Sequence, residues 1–350
     1  QFSMIEAEEV GLYKYDILSQ RGISKIHEAI EIIKSNGKKS YLKNIRNVNE
    51  FKIDPKILAN LKTGNAMGCF YIESPAMRML MQKLSVGNYL ELVAASSIIR
   101  PGVSSSGMMK EYILRHKNPK RIEKAHPELV KIMPETYGVM VYQEDVIKVA
   151  HLFAGLSLDE ADILRRGMSG KYRSKDELNV IKEKFFQNCK AKKYDEKVSI
   201  EIWKQIESFA GYAFAKGHSA SFAVESFQSL YLKTYFPLEY MVAVINNGGG
   251  YYRTEIYIHE AKKLGAKIEP PEINTSQWHT IIKGNEIYLG FSFIKSIQNQ
   301  TIQSIIEYRK QNQQILNFDQ FLNNVFISLE QLLLLIRIGA FRNIDENQKN

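Results

Sequence analysis

The sequence predicts a mainly α-helical chain with a few short strands, and three observations carry that prediction. Apolar residues recur at helical spacing through most of the 350 residues. Helix-starting and helix-stopping residues bracket those segments. Strand-like character is confined to short pieces, residues 11–18 and the IYLGF run at 287–291. With 45% apolar content the chain can bury a real core and hold two or three domains of ordinary size.

Taken in order, residues 11–18 alternate in character, which predicts a short strand with Tyr13, Tyr15 and Ile17 on one side and Lys14 and Asp16 on the other. Ser24 to Ile33 reads as a helix that Asn36-Gly37 ends. Residues 38–62 are basic and broken at Asp54-Pro55; Asn65 to Leu84 reads as an extended piece leading into a helix, with Met77, Met79 and Met81 as core filler. Arg100-Pro101-Gly102 and the serines that follow interrupt both periodicities and predict a loop.

Ser157-Leu158-Asp159-Glu160 is a capping box, because the serine hydroxyl and the glutamate carboxylate can each satisfy an orphan amide of the first turn. Its helix should run to about Met168 and stop at Gly170, placing Arg165 and Arg166 in the last turn. A second helix is expected over Phe222 to Tyr235, ended by Pro237, which itself opens a helix that Asn246 to Gly250 terminates. Beyond about Pro270 the strand-like run and two helical stretches, Asn299 to Gln311 and Ser328 to Ile338, read as a separate small domain.

Lys and Arg outnumber Asp and Glu by 47 to 38, and the whole excess lies in residues 1–200, 33 against 24. Such an excess fits either a polyanionic partner, through counterion release, or a solvated basic face. The two cysteines, Cys69 and Cys189, form no CxxC pair, so neither a disulfide framework nor a zinc site is suggested and a cytoplasmic setting is expected. No run approaches the ~20 apolar residues that a membrane span needs. HExxH, GxSxG and GxxxxGK[ST] are all absent, which leaves zinc-protease, serine-hydrolase and P-loop readings without support. Gln1-Phe2-Ser3 carries no initiator Met or signal, so the chain is expected to begin inside a longer polypeptide.

Three groups could carry chemistry. Lys14 and Asp16 on one strand side would let a carboxylate hold a divalent cation beside an ammonium that meets phosphate; unaided, a solvated surface pair explains them better. Arg165, Arg166 and Lys171 around Gly170 either present cations to one polyphosphate or merely complement a helix dipole. Lys216-Gly217-His218-Ser219-Ala220-Ser221 sets a Lys, a His and two hydroxyls beside a helix N-terminus, a fit for a triphosphate. The competing reading makes Ser219 a simple N-cap and His218 a loop residue.

Several segments together resemble the C-family of bacterial DNA polymerases, that of the replicative alpha subunits. They are Gly11-Leu12-Tyr13-Lys14-Tyr15-Asp16, Gly68-Cys69-Phe70-Tyr71-Ile72-Glu73-Ser74, Arg100-Pro101-Gly102 and Tyr137-Gly138-Val139-Met140-Val141-Tyr142-Gln143-Glu144. Further on come Ala161-Asp162-Ile163-Leu164-Arg165-Arg166, Phe209-Ala210-Gly211-Tyr212-Ala213-Phe214-Ala215-Lys216, Tyr231-Leu232-Lys233 and Gly339-Ala340-Phe341, all in family order.

The resemblance implies an internal piece of a DNA-directed DNA polymerase: a palm strand over 1–20, fingers over 21–270 and a helix-hairpin-helix domain over 271–350. Asp16 would be the third of three carboxylates that hold two Mg2+ ions, its Asp-x-Asp companions lying upstream, so the isolated piece is expected to extend no primer. Lys14, Arg165, Arg166, Lys171, Lys216 and His218 would face the incoming deoxynucleoside triphosphate, and Arg100 and Lys295 the primer-template DNA. The resemblance further implies a nucleoid-associated setting and replisome partners such as the sliding clamp.

Two departures stand out. The family's Gly-Lys-Lys after Arg-Arg-x-Met becomes Ser169-Gly170-Lys171, so one cation is missing or displaced, and the hairpin glycines are replaced in Lys295-Ser296-Ile297-Gln298-Asn299. A non-catalytic basic DNA-binding module and a translesion paralogue of the replicative enzyme are the competing functions.

Overall fold

Asp54 and Ser74 each precede a proline, and each starts a helix for the same reason. The side-chain oxygen accepts from first-turn amides while proline, which has no amide to lose, fills the first helical position. In the computed structural model this logic recurs along a mainly helical chain, with one three-stranded sheet among the described residues. The structure describes residues 4–344 except 14, 16, 18, 19, 100–105, 169–174, 210–214, 249, 313 and 316.

The chain divides into two compact units, residues 43–235 and residues 1–42 joined by 236–350. The boundaries expected at 20/21 and 270/271 do not coincide with this division.

In unit 43–235 the Lys216–Tyr235 helix is central, packing against Val48–Phe51, Pro55–Lys62 and Tyr89–Ile98. Phe51 and Tyr231 stack at 4.2 Å with their planes 5° apart, and Phe227 and Leu230 are fully buried. Lys233 is buried too, and its Nζ donates to the Met67 carbonyl at 2.7 Å, as a buried polar group requires. The methionine stripe is only partly core. Met77 and Met81, one turn apart, are buried with Leu80 and Leu84, whereas Met79 is 64% exposed because two residues along a helix turn a side chain to the far face.

The Ser157 capping box forms as expected: Ser157 N donates to Glu160 Oε2 at 2.9 Å and Glu160 N to Ser157 Oγ at 3.2 Å. The helix runs Leu158–Met168.

In the other unit Gln20–Ser35 packs on Pro237–Asn247. Glu239 is fully buried, and its Oε1 takes Lys38 Nζ at 2.7 Å and Asn36 Nδ2 at 2.6 Å. Strand β1 (Lys267–Glu269) runs parallel to β3 (Glu286–Tyr288), and β2 (Ile281–Lys283) pairs antiparallel to β3, giving the order β1-β3-β2. Asn299–Asn312, Phe318–Asn324 and Leu329–Arg337 then enclose a core of Ile273, Phe291, Ile302, Ile305, Phe321 and Leu335.

The strand expected over residues 11–18 does not appear among the described residues. Met4–Glu9 is a helix, and Tyr13, Tyr15 and Ile17 are all exposed, without a paired strand to satisfy their backbone groups. Lys14 and Asp16 lie outside the described residues.

Candidate nucleotide-binding site

The Lys216–Tyr235 helix begins six residues earlier than its apolar pattern suggests, and this changes what its N-terminus offers. The amides of His218 and Ser219 close on the Ala215 carbonyl. Lys216 N donates to both carboxylate oxygens of Glu144, at 3.0 and 2.9 Å. The expected cluster of free amides is therefore not there: a carboxylate from 72 residues away already caps the first of them.

Neither hydroxyl faces an open anion seat. Ser219 is fully buried and accepts from Ser97 Oγ at 2.8 Å, so it is no N-cap, and Ser221 Oγ donates back to the His218 carbonyl at 2.9 Å.

The Lys216 ammonium pairs with the Glu135 carboxylate and lies 5.3 Å from the centroid of the Tyr142 ring. Tyr142 is buried, and burial pushes its hydroxyl well above the usual phenol range. Its segment is held by Asp145, whose Oδ2 accepts the amides of Val141 and Tyr142 at 2.9 Å each. Burial raises the Asp145 carboxyl despite those bonds. The result is a rigid start to the Gln143–Lys148 helix that presents Glu144 to Lys216.

His218 sits half-buried with its ring 4.2 Å from Phe222. Phe222 in turn meets Phe70 and Tyr71 edge-on, at 5.1 and 5.0 Å. Tyr71 is one of five non-glycine residues in the left-handed region among the described residues, at φ +67, a conformation costing ~1–2 kcal/mol.

Arg165 and Arg166 occupy the last turn of the Leu158–Met168 helix, as expected, and share one partner. Asp162 Oδ1 meets Arg165 at 2.8 Å and Oδ2 meets Arg166 at 3.0 Å. This helix packs against Gln143–Lys148, so the arginines and Glu144 ride on adjacent elements.

Lys295 is exposed, and Ser296 after it adopts φ +67, so the hairpin keeps a left-handed turn without a glycine. Gln331 staples it, accepting from Gln298 N at 2.7 Å and donating to the Ser296 carbonyl at 3.1 Å. One hairpin amide is thereby consumed internally.

Asp16, Lys14, Lys171 and Arg100 lie outside the described residues. Among the described residues no group of three or more His, Cys, Asp or Glu side chains could hold a metal ion, and no helix is long and apolar enough to cross a membrane. Sequence reasoning missed Glu135 and Glu144 as partners of Lys216, although both lie in or beside the quoted stretch Tyr137 to Glu144. No local spacing links them to position 216.

The family model described as bacterial DNA polymerase III alpha subunit finger domain matches residues 23–193, and a helix-hairpin-helix model matches residues 265–350. A DNA polymerase III subunit alpha of Campylobacter jejuni is 33% identical over 97% of this chain, and one of Staphylococcus aureus (strain MRSA252) is 34% identical over 97%. The chain spans 28% and 32% of the length of these relatives.

Proposed function

We propose, from the premise that this chain belongs to the bacterial DNA polymerase III alpha-subunit family, that it is the nucleotide-gripping part of a DNA-directed DNA polymerase. The observation that carries this reading is the cationic start of the Lys216–Tyr235 helix, where an amide and an ammonium of one residue each hold a carboxylate. A position that binds two carboxylates suits the oxygens of a triphosphate, which are anionic acceptors of the same kind. Lys216 would take the phosphates by exchanging Glu135 for them, with His218 beside it. Arg165 and Arg166 would add charge from the neighbouring helix, Asp162 keeping both oriented until phosphate arrives.

Lys14 and Lys171 complete the proposed nucleotide set, and Arg100 and Lys295 are assigned to primer-template DNA. Asp16 would contribute one ligand to a pair of Mg2+ ions that, when bound, activate the primer hydroxyl and neutralise charge on the phosphates. The part proposed for this chain's own residues is to bind and orient the nucleotide. Other replisome subunits such as the clamp, and a nucleoid-associated cytoplasmic setting, go with this reading.

The test is primer extension by the full-length enzyme. Lys216→Ala should lower kcat/KM for the deoxynucleotide on the order of a hundredfold, the worth of a charge-assisted contact of ~2–3 kcal/mol. It should leave affinity for primer-template DNA unchanged. An enzyme whose nucleotide kinetics ignore both Lys216→Ala and His218→Ala, while DNA affinity falls with salt, would instead point to a module that only coats DNA.

A further inference from the structure

Of the five non-glycine residues with left-handed backbone among the described residues, Ser85, Tyr137 and Lys193 lie just past helix ends and Ser296 turns a hairpin, where that conformation closes hydrogen bonds. Tyr71 closes no helix. It stands in a turn before Pro75–Leu84, and its neighbours leave it little choice of backbone. Gly68 N donates to Glu73 Oε2 at 2.9 Å, Ser226 Oγ to the Phe70 carbonyl at 3.0 Å and Lys233 Nζ to the Met67 carbonyl at 2.7 Å. Cys69 and Ile72 on either side are fully buried. The loop is thus closed on itself by Glu73 and held to the Lys216–Tyr235 helix at Met67 and Phe70.

What the clamp delivers is the ring. Tyr71 lies 5.0 Å from Phe222 and 6.1 Å from Phe70, and Phe222 lies 4.2 Å from His218. All four rings are only half-buried, although fully buried Phe and Tyr side chains line the same helix further along. Backbone strain held in place by surrounding structure is a pointer to function. Phe222 follows Lys216 by six residues, about 9 Å along the helix axis and about 120° around it, so the aromatic group lies between one and two turns beyond the cationic end of the same helix.

We propose that Tyr71, backed by Phe222 and His218, is the stacking face for the base of the nucleotide whose phosphates Lys216 holds. This rests on the reading of Lys216 given above. Every base presents a π-face, so such a platform contributes affinity without choosing among the four bases. Tyr71 is here a positioning residue: it orients the base and touches none of the reacting atoms.

The experiment compares two ligands by titration calorimetry on the 350-residue chain, dATP and inorganic tripolyphosphate, and repeats the dATP titration with the other three deoxynucleotides. Tyr71→Ala should weaken dATP roughly tenfold and leave tripolyphosphate within twofold, with the same loss for all four bases. Tyr71→Phe should retain both affinities. Tyr71→Gly removes the ring while relieving the backbone, so it keeps the fold, checked by thermal melting, and should lose dATP as the Ala variant does. Lys216→Ala should weaken both ligands.

If Tyr71→Gly binds dATP as wild type does while Lys216→Ala weakens both ligands, the platform is wrong and the phosphate seat stands. If Tyr71→Gly weakens both ligands equally, the ring is structural and the platform is wrong again. If Lys216→Ala moves neither ligand, the phosphate seat fails, and the platform is then judged by the ratio of dATP to tripolyphosphate affinity alone. A wild-type chain that binds neither overturns both.

Discussion

Two helix ends in the same unit carry cations, and they are neutralised in opposite ways. At the end of Leu158–Met168 the partner is local: Asp162 serves Arg165 and Arg166 from three and four residues back on the same helix. At the start of Lys216–Tyr235 the partners are remote, Glu144 and Glu135 coming from 72 and 81 residues earlier in the chain. The difference teaches where tertiary structure has been used to prepare a position. A local pair forms whenever its helix forms, whereas the remote pair exists only once the unit is assembled.

The contrast makes graded predictions. The largest effect is expected from Lys216→Ala in the full-length enzyme, the hundredfold loss in nucleotide efficiency described above. Arg165→Ala or Arg166→Ala alone should cost less, roughly tenfold, because Asp162 already offsets part of their charge. A larger loss at Arg165 than at Lys216 in the same assay would reverse the ranking of the two ends. Next comes stability. Glu144→Ala strips the carboxylate from the Lys216 amide and should destabilise the unit by ~1 kcal/mol in a denaturant melt, the usual worth of an N-cap. Asp162→Ala should cost no more than ~0.5 kcal/mol, since exposed pairs one turn apart contribute little. Equal costs for the two substitutions would erase the distinction between prepared and incidental pairing.

The smallest effect is a pH dependence at the other end of the local helix. The ion pair with Lys184, then the Ser157 amide, hold the Glu160 carboxyl below the usual carboxylate range. A carboxyl whose folded value is depressed adds stability that is fully present above its unfolded value and is lost as pH falls through the folded one. Thermal melts from pH 6 down to pH 3 should therefore fall less steeply for Glu160→Gln than for wild type. Identical slopes would mean that the capping box contributes nothing on acidification.

The same contrast explains what could be read from the sequence. The Ser157 capping box and the helix that Pro237 opens are set by residues within a turn of one another, and each appears where local chemistry places it. In the sequence Ser219 looks like a cap for a helix that in fact starts at Lys216. Its hydroxyl instead meets Ser97, 122 residues away. Glu135 and Glu144 carried no local signal at all, and Met79 was counted with a core stripe that a period of 3.6 excludes. The family resemblance lies in the order of many short segments, and the placement of no single one decides it.

The packing of Gln20–Ser35 on Pro237–Asn247 has a consequence for biosynthesis. At ribosomal speeds of ~5–20 residues per second, the earlier helix leaves the exit tunnel on the order of 10 to 40 seconds before its partner exists. Throughout that interval Ala29 and Ile33, fully buried in the finished protein, have no cognate surface. The intervening unit can mature meanwhile, so the apolar face of this amphipathic helix waits for translation to deliver its mate.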